Sequence, residues 1–317
     1  MMRENKFKIL SFALLIGIFM GSCKKDNTTN NNNNNTQPVP QVTERQRVLT
    51  EYNTYFLGTT VATSGWTGDI ATCTPGTISQ DAINKTLIRI NYFRRCVGLN
   101  DNITFDATKS LKCQQAALMM QANNALNHYP PTTWTCWTQD GSDAAGSSNI
   151  ASGYTPPGAI TAYIQDNGTS NNFVGHRRWI LFSTSKVMGL GHTSTYNALW
   201  VTGNGGNPVP ANLPVFIPWP PKGYVPAPLV FAKWSFSKRL ADFTNAQVAM
   251  TDSAGNAIPL TIISNTDIGY GDNTIVWEPT GINTTSTTDV KYNVTVSNVN
   301  INNVDSTYTY KVTIIQP

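Results

Sequence analysis

An α+β domain followed by an all-β sandwich is the fold class that the sequence predicts, and three observations carry the prediction. From Thr43 to about Val201, segments of helical period are joined to a few of strand length. Beyond "TGNGGNPVPANLP", Thr202 to Pro214, every apolar segment has strand length. Finally, Cys73, Cys96, Cys113 and Cys136 all fall in the first of these two regions.

Five segments follow in order: 1–22, 23–41, 42–202, 203–214 and 215–317. In the first, Arg3, Lys6 and Lys8 precede an apolar run from Ile9 to Met20, and "MGSC" ends on Cys23. The run is too short to cross a bilayer and reads as a secretory signal. Small residues directly before a cysteine resemble the lipobox of bacterial lipoproteins, which implies cleavage before Cys23 and a lipid on its sulfur. Such an anchor makes the membrane a partner. Lys24 and Lys25 do not resemble an inner-membrane retention signal, so outer membrane or cell surface is expected. Residues 23–41, with Asn30 to Asn35 at their centre, hold no apolar pattern to bury and read as a disordered tether.

The chain has 317 residues, enough for about two domains, and 40% of them are hydrophobic, an ordinary core-forming share. Loss of residues 1–22 removes three basic residues and one acidic residue from 22 and 18, leaving 19 against 17. A net charge this small gives nucleic acid no electrostatic purchase. With Cys23 set aside, four cysteines remain, an even number that in an exported chain favours two disulfides; of the three pairings these allow, Cys73 with Cys96 and Cys113 with Cys136 is the one expected.

Within 42–202 the first helix opens at "TERQ", where Thr43 and Gln46 form a capping box, and stops at Gly58. A second starts near Ser79, carries Ile83, Leu87, Ile90 and Phe93 on one face, and stops at Gly98. The strand "ITF" leads to Asp106, the N-cap of a third helix bearing Leu111, Ala116, Met119, Met120 and Leu126 and ending at "NHYPP". Thr132 to Pro157 reads as loop. A short helix, "AITAYIQD", and two strands, "KVMGLGH" and "NALWV", complete the domain.

In 215–317 the strands are "LVFAKWSFS", "AQVAMT", "IPLTII", "TIVWEP", "KYNVTVSNV" and "TYTYKVTIIQP", each bounded by turn formers. "DVKYNVTV" resembles the penultimate strand of immunoglobulin-like and fibronectin-like domains, with Tyr292 in the place of a tyrosine corner.

Only three histidines occur, His128, His176 and His192. Two of them stand in blocks that resemble the CAP superfamily (SCP domain), which groups cysteine-rich secretory proteins, antigen 5 and plant pathogenesis-related proteins. "NYFRRCVGL" offers Asn91, Arg94, Gly98 and Leu99 to its Asn-x-x-Arg-x-x-x-Gly-Leu helix. Ile103, Thr104, Phe105 and Asp106 match its strand entry, "SNIAS" matches its Glu-Asn-Ile-Ala block, and "GHRRWIL" its Gly-His-Arg-x-x-Ile-Leu block. The resemblance implies an α-β-α sandwich with a cavity holding two histidines, His128 and His176, and two acids. Ser148 replaces the first acid, and Asp166 is the candidate for the second. The implied cavity set is therefore His128, Ser148, Asn149, Asp166 and His176.

Three functions follow for comparison. The first is a non-enzymatic binding or scaffold module for a small apolar or lipid-like ligand, or for a peptide, glycan or other cell-envelope component. The second is a hydrolase of peptide or cell-wall bonds in which His128 and His176 hold Zn2+ or act as base while Asp166 orients a ring. The missing glutamate weighs against it, and no Gly-x-Ser-x-Gly elbow surrounds Ser148. The third is adhesion through the sandwich, with Trp219, Trp234 or Trp277 as contacts. Arg177 and Arg178 are read as solvated or structural pairs, and Trp179, Ile180 and Leu181 as core.

Overall fold

The computed structural model describes residues 42–203, 205, 208–266 and 269–317. The signal segment, Cys23 and the Asn-rich tether lie outside the described residues. Val42–Pro317 forms one compact unit, an α+β part followed by a β-sandwich.

Among the described residues, six α-helices precede the sandwich: α1 (Glu44–Glu51), α2 (Gln80–Cys96), α3 (Ala107–Asn123), α4 (Gln139–Ser147), α5 (Pro156–Gln165) and α6 (Gly175–Ile180). Four strands, β1 (Thr104–Phe105), β2 (Ser148–Ser152), β3 (Val187–His192) and β4 (Tyr196–Trp200), make a sheet in the order β1-β3-β4-β2. Alternation along the strands feeds two cores. Met188, Leu190 and Leu199 join Ile90, Phe93, Ile160 and Tyr163 of α2 and α5. Tyr196, Ala198 and Ile150 join Cys113, Ala116 and Met120 of α3 and Ala144 and Ala145 of α4. Helices on both faces of one sheet give the α-β-α sandwich. The approach of α3 depends on Gly191, where a Cβ would sit 2.1 Å from the carbonyl carbon of Cys113.

The caps explain why these segments are helical. Thr43 and Gln46 form a reciprocal capping box, Ser79 caps α2 at Ala82 N, and Asp106 caps α3 at Lys109 N. α2 ends with Leu99 N–H returning to Arg94 O and Gly98 N–H to Arg95 O, a Schellman closure. The family-like residues of this helix are structural. Asn91 pairs with both N–H and C=O of Ile103, while buried Arg94 donates to Asn100 O, Ile180 O, Phe182 O and Ser185 O.

Several expectations need correction. α1 passes into π-type and 3-10 turns from Tyr52 to Thr59 rather than running unbroken to Gly58. α3 stops at Asn123 through left-handed Asn124, leaving Leu126 outside the helix, and Leu111 is exposed. The stretch 132–157 holds α4 and β2, because Thr138 caps α4 and its small residues let it lie close on α3. The cysteines pair differently: Cys73 bonds Cys136, while Cys96 and Cys113 are free. Cys113 points from α3 into the core and Cys96 closes α2, whereas Cys73 and Cys136 occupy loops that meet at Cα atoms 5.2 Å apart.

The sandwich stacks two four-stranded sheets. One has the order β5 (Ile217–Trp219), β7 (Trp234–Ser237), β10 (Thr274–Pro279), β9 (Leu260–Ser264). The other has β6 (Gly223–Pro226), β12 (Val304–Ile315), β11 (Val290–Ile301), β8 (Gln247–Asp252), with β6 parallel to β12. β5 and β6 escaped the sequence reading because prolines interrupt them, which edge strands tolerate. Trp219, Trp234 and Trp277 are all buried, so none is available as an adhesive contact. Phe93 of α2 meets Trp219 edge-on at 5.5 Å, and Arg45 of α1 pairs with Asp289, so both parts share one body.

His192 is buried at the end of β3, with Nδ1 against Thr193 O and Nε2 3.0 Å from Tyr154 O. Burial lowers its pKa, opposed by the two carbonyl acceptors. A histidine that resists protonation more when folded than unfolded contributes stability at neutral pH that is lost as pH falls through the unfolded value of about 6.5. The unfolding free energy of wild type relative to His192→Gln is therefore expected to shrink between pH 7.5 and 5.5, by up to about 1.4 kcal/mol per pH unit. Denaturant titration at several pH values checks this, and a pH-independent difference would refute it.

Candidate functional site

α5 ends at Asp166, whose backbone is left-handed (φ 54°), a conformation that aspartate tolerates better than most residues. The turn throws its carboxylate toward the start of α6. Oδ2 accepts the backbone N–H groups of His176 (3.0 Å) and Arg177 (3.3 Å), and Oδ1 accepts from His176 Nδ1 at 2.7 Å. Before them, Val174 adopts φ 45°, a strained conformation for a β-branched residue. Strain, carboxylate and the ring of Tyr163, stacked on the imidazole at 5.3 Å and 24°, together fix His176.

His128 lies past the end of α3, and its Nδ1 donates to Ala145 O of α4 at 2.8 Å. A carbonyl only accepts and a carboxylate ordinarily does, so both histidines carry the proton on Nδ1. They face one cavity of about 240 Å3, lined also by Ser148, Asn149, Phe173, Trp179, Thr202 and Tyr270, with Tyr129 at its edge.

Four of the residues expected at the cavity, His128, Ser148, Asn149 and His176, line it together. Asp166 does not line it. It is sealed behind His176, with one oxygen on the ring and the other on the backbone N–H groups that open α6. Ser148 stands where an acid was expected, but its hydroxyl lies 3.6 Å from Cys113 Sγ. Asn149 donates to His176 O at 3.0 Å, tying β2 to α6. His192 lies elsewhere, buried against Thr193 and Tyr154. Trp179, expected in the core beside Ile180 and Leu181, is half-buried and lines the cavity. Phe173, Tyr129 and Tyr270 were not anticipated. Tyr270 lies far along the chain and no local pattern marks it.

Zinc does not fit this donor set. Among the described residues no three His, Cys, Asp or Glu side chains gather to hold a metal. With Asp166 committed to His176, two imidazoles remain, one fewer than the three protein ligands of an open zinc site.

Arg177 and Arg178 turn away from the cavity and are buried. Arg177 donates to Ile164 O, Gln165 O, Lys233 O and Ser235 Oγ, and burial lowers its pKa to about 10, opposed by Asp166. Lys233, from the sandwich part, donates through Nζ to Asp166 O, Gly168 O and Asn171 O. The loop that positions His176 is thereby gripped from the other part of the molecule.

A sheet covered by helices on both faces, with two fixed imidazoles opening on one cavity, defines a ligand-binding α-β-α module. Residues 87–204 match the CAP family, described as the cysteine-rich secretory protein family, and this span is a CAP domain. No curated protein matches the chain. A CAP domain points to binding of the generic extracellular kind.

Proposed function

We propose that the protein is an exported binding module, anchored to the cell envelope by lipid on Cys23, whose CAP cavity takes a small ligand between His128 and His176. The observation that carries this reading is the pair of imidazoles: each is engaged at Nδ1 by a protein acceptor, and both line the same cavity. The C-terminal part is an immunoglobulin-like sandwich on this reading. Its sheets, taken in chain order, follow the A-B-E-D and A′-G-F-C arrangement, and Tyr292 near the start of β11 accepts the backbone N–H of Asn283 at 2.8 Å, as a tyrosine corner does.

Native mass spectrometry of the full chain incubated with a cell-envelope extract tests the cavity. Bound small-molecule masses are expected on wild type and absent from the His128→Ala, His176→Ala double variant. Identical bound masses on both proteins would overturn it. Labelled palmitate is expected on wild type and absent from Cys23→Ser, and labelling of both would remove Cys23 as the anchor.

The Asp166–His176 hydrogen bond also suits a general base, which keeps hydrolysis as a second reading. It would be supported if cleavage of peptide or cell-wall material were lost in His176→Gln and reduced in Asp166→Asn. It would be removed if wild type released nothing.

A further inference from the structure

We propose that the cavity is a composite carbohydrate subsite, in which Tyr270 of the sandwich part supplies a face of the aromatic wall against which one pyranose ring packs. The proposal rests on the reading of this cavity as the binding site, and adds the class of ligand and a residue from outside the CAP domain.

Tyr270 lies between β9 and β10 and is 36% exposed. Its ring stacks on Phe173 at 4.8 Å and 21° and meets Trp179 edge-on at 6.2 Å and 71°. It also packs against the backbone beside His176, since a Cβ on Gly175 would lie 3.2 Å from the Tyr270 ring. Two residues further on, the backbone is held by Asp272. Asp272 accepts from the N–H and Oγ of Ser183, and its carbonyl accepts from Arg178 Nε. The ring is thus built into the cavity rather than resting over it.

The lining selects the ligand. Polarised C–H bonds on one face of a pyranose suit the electron-rich face of an aromatic ring, while hydroxyls around its rim need hydrogen-bonding partners. The cavity offers both, with the rings of Phe173, Trp179 and Tyr270 and the side chains of His128, His176 and Thr202 all in its lining. A sterol or acyl chain would cover those polar groups without pairing them, at about 1–3 kcal/mol for each group left unsatisfied. At about 240 Å3 the space also falls below the roughly 300–1,000 Å3 that encloses drug-sized ligands, and suits a single ring with its neighbours outside.

The test uses the full chain on an array of pyranose oligosaccharides, followed by calorimetric titration of the strongest binder. Tyr270→Ala and Tyr270→Leu are each expected to weaken binding at least tenfold and Tyr270→Phe less than threefold, with thermal unfolding near that of wild type. His128→Ala and His176→Ala are expected to weaken it as well. If the histidine variants lose binding while Tyr270→Ala and Tyr270→Leu keep it, the composite wall is wrong and the cavity reading stands. If all variants bind like wild type, the sugar binds elsewhere and the composite subsite is refuted. If no sugar binds wild type, the carbohydrate assignment falls, while the mass-spectrometric comparison still decides the cavity.

Discussion

Arg177→Met is expected to destabilise the protein by about 3–5 kcal/mol, because several buried acceptors lose their donor at about 1–3 kcal/mol each. The side chain is 1% exposed and its guanidinium serves three carbonyls and one hydroxyl drawn from both parts of the chain. Methionine fills much of the volume but leaves those acceptors dry and unpaired, each a desolvation cost. Lys233→Met removes the second cation that grips the same loop, through Asp166 O, Gly168 O and Asn171 O. Because the two side chains share the loop, the double variant is expected to depart from additivity by about 0.5–3 kcal/mol. Urea titration of the four proteins measures both quantities. A loss under about 1 kcal/mol for Arg177→Met would mean that water or a rearranged backbone replaces the guanidinium.

Replacing Cys73 and Cys136 together by serine is expected to cost about 4 kcal/mol, on the chain-entropy relation for a loop closed over a sequence separation of 63. The bridge ties the 70s loop to the segment between α3 and α4, just beyond His128. Cys96 and Cys113 do not substitute for the lost pair. Burial pushes both thiols up to about 12, so they stay protonated and poorly nucleophilic. Alkylation and peptide mapping are expected to find the 73–136 bridge intact and Cys113 modified only after denaturation. Labelling of Cys113 in the native protein, or a denaturant midpoint unchanged in the double serine variant, would contradict this.

What could be read from the sequence divides along local and nonlocal lines. Thr43, Ser79 and Asp106 announce helix starts because a cap is a short-range device, and apolar runs of strand length bounded by turn formers announce β7 to β12. α4 left no such trace. "QDGSDAAGS" is poor in helix formers, and its small residues become an asset only against α3, where a Cβ on Gly141 would lie 2.7 Å from Met119 Sδ. Neighbour pairing of cysteines failed for a related reason, since adjacency in sequence says nothing about which loops meet in space. At the site, the blocks around His128, "SNIAS" and "GHRRWIL" pointed to side chains that line one cavity, and Asp166 was identified as a partner of His176 but not as buried behind it. Tyr270 and Lys233 carry no local signature, because their roles exist only once the sandwich packs against the α5–α6 loop.

The shared core of the two parts has a consequence for assay design. Trp219, Trp234 and Trp277 are buried in the sandwich, remote in sequence from the histidines, and their emission reports its unfolding. If the body melts as one cooperative unit, a ligand held between His128 and His176 raises the melting temperature seen by those indoles, by mass action alone. Screening therefore requires no chemical label: Trp219, Trp234 and Trp277 become a thermometer for an occupant held outside the sandwich core, and Trp179 on the cavity wall senses the same occupant directly.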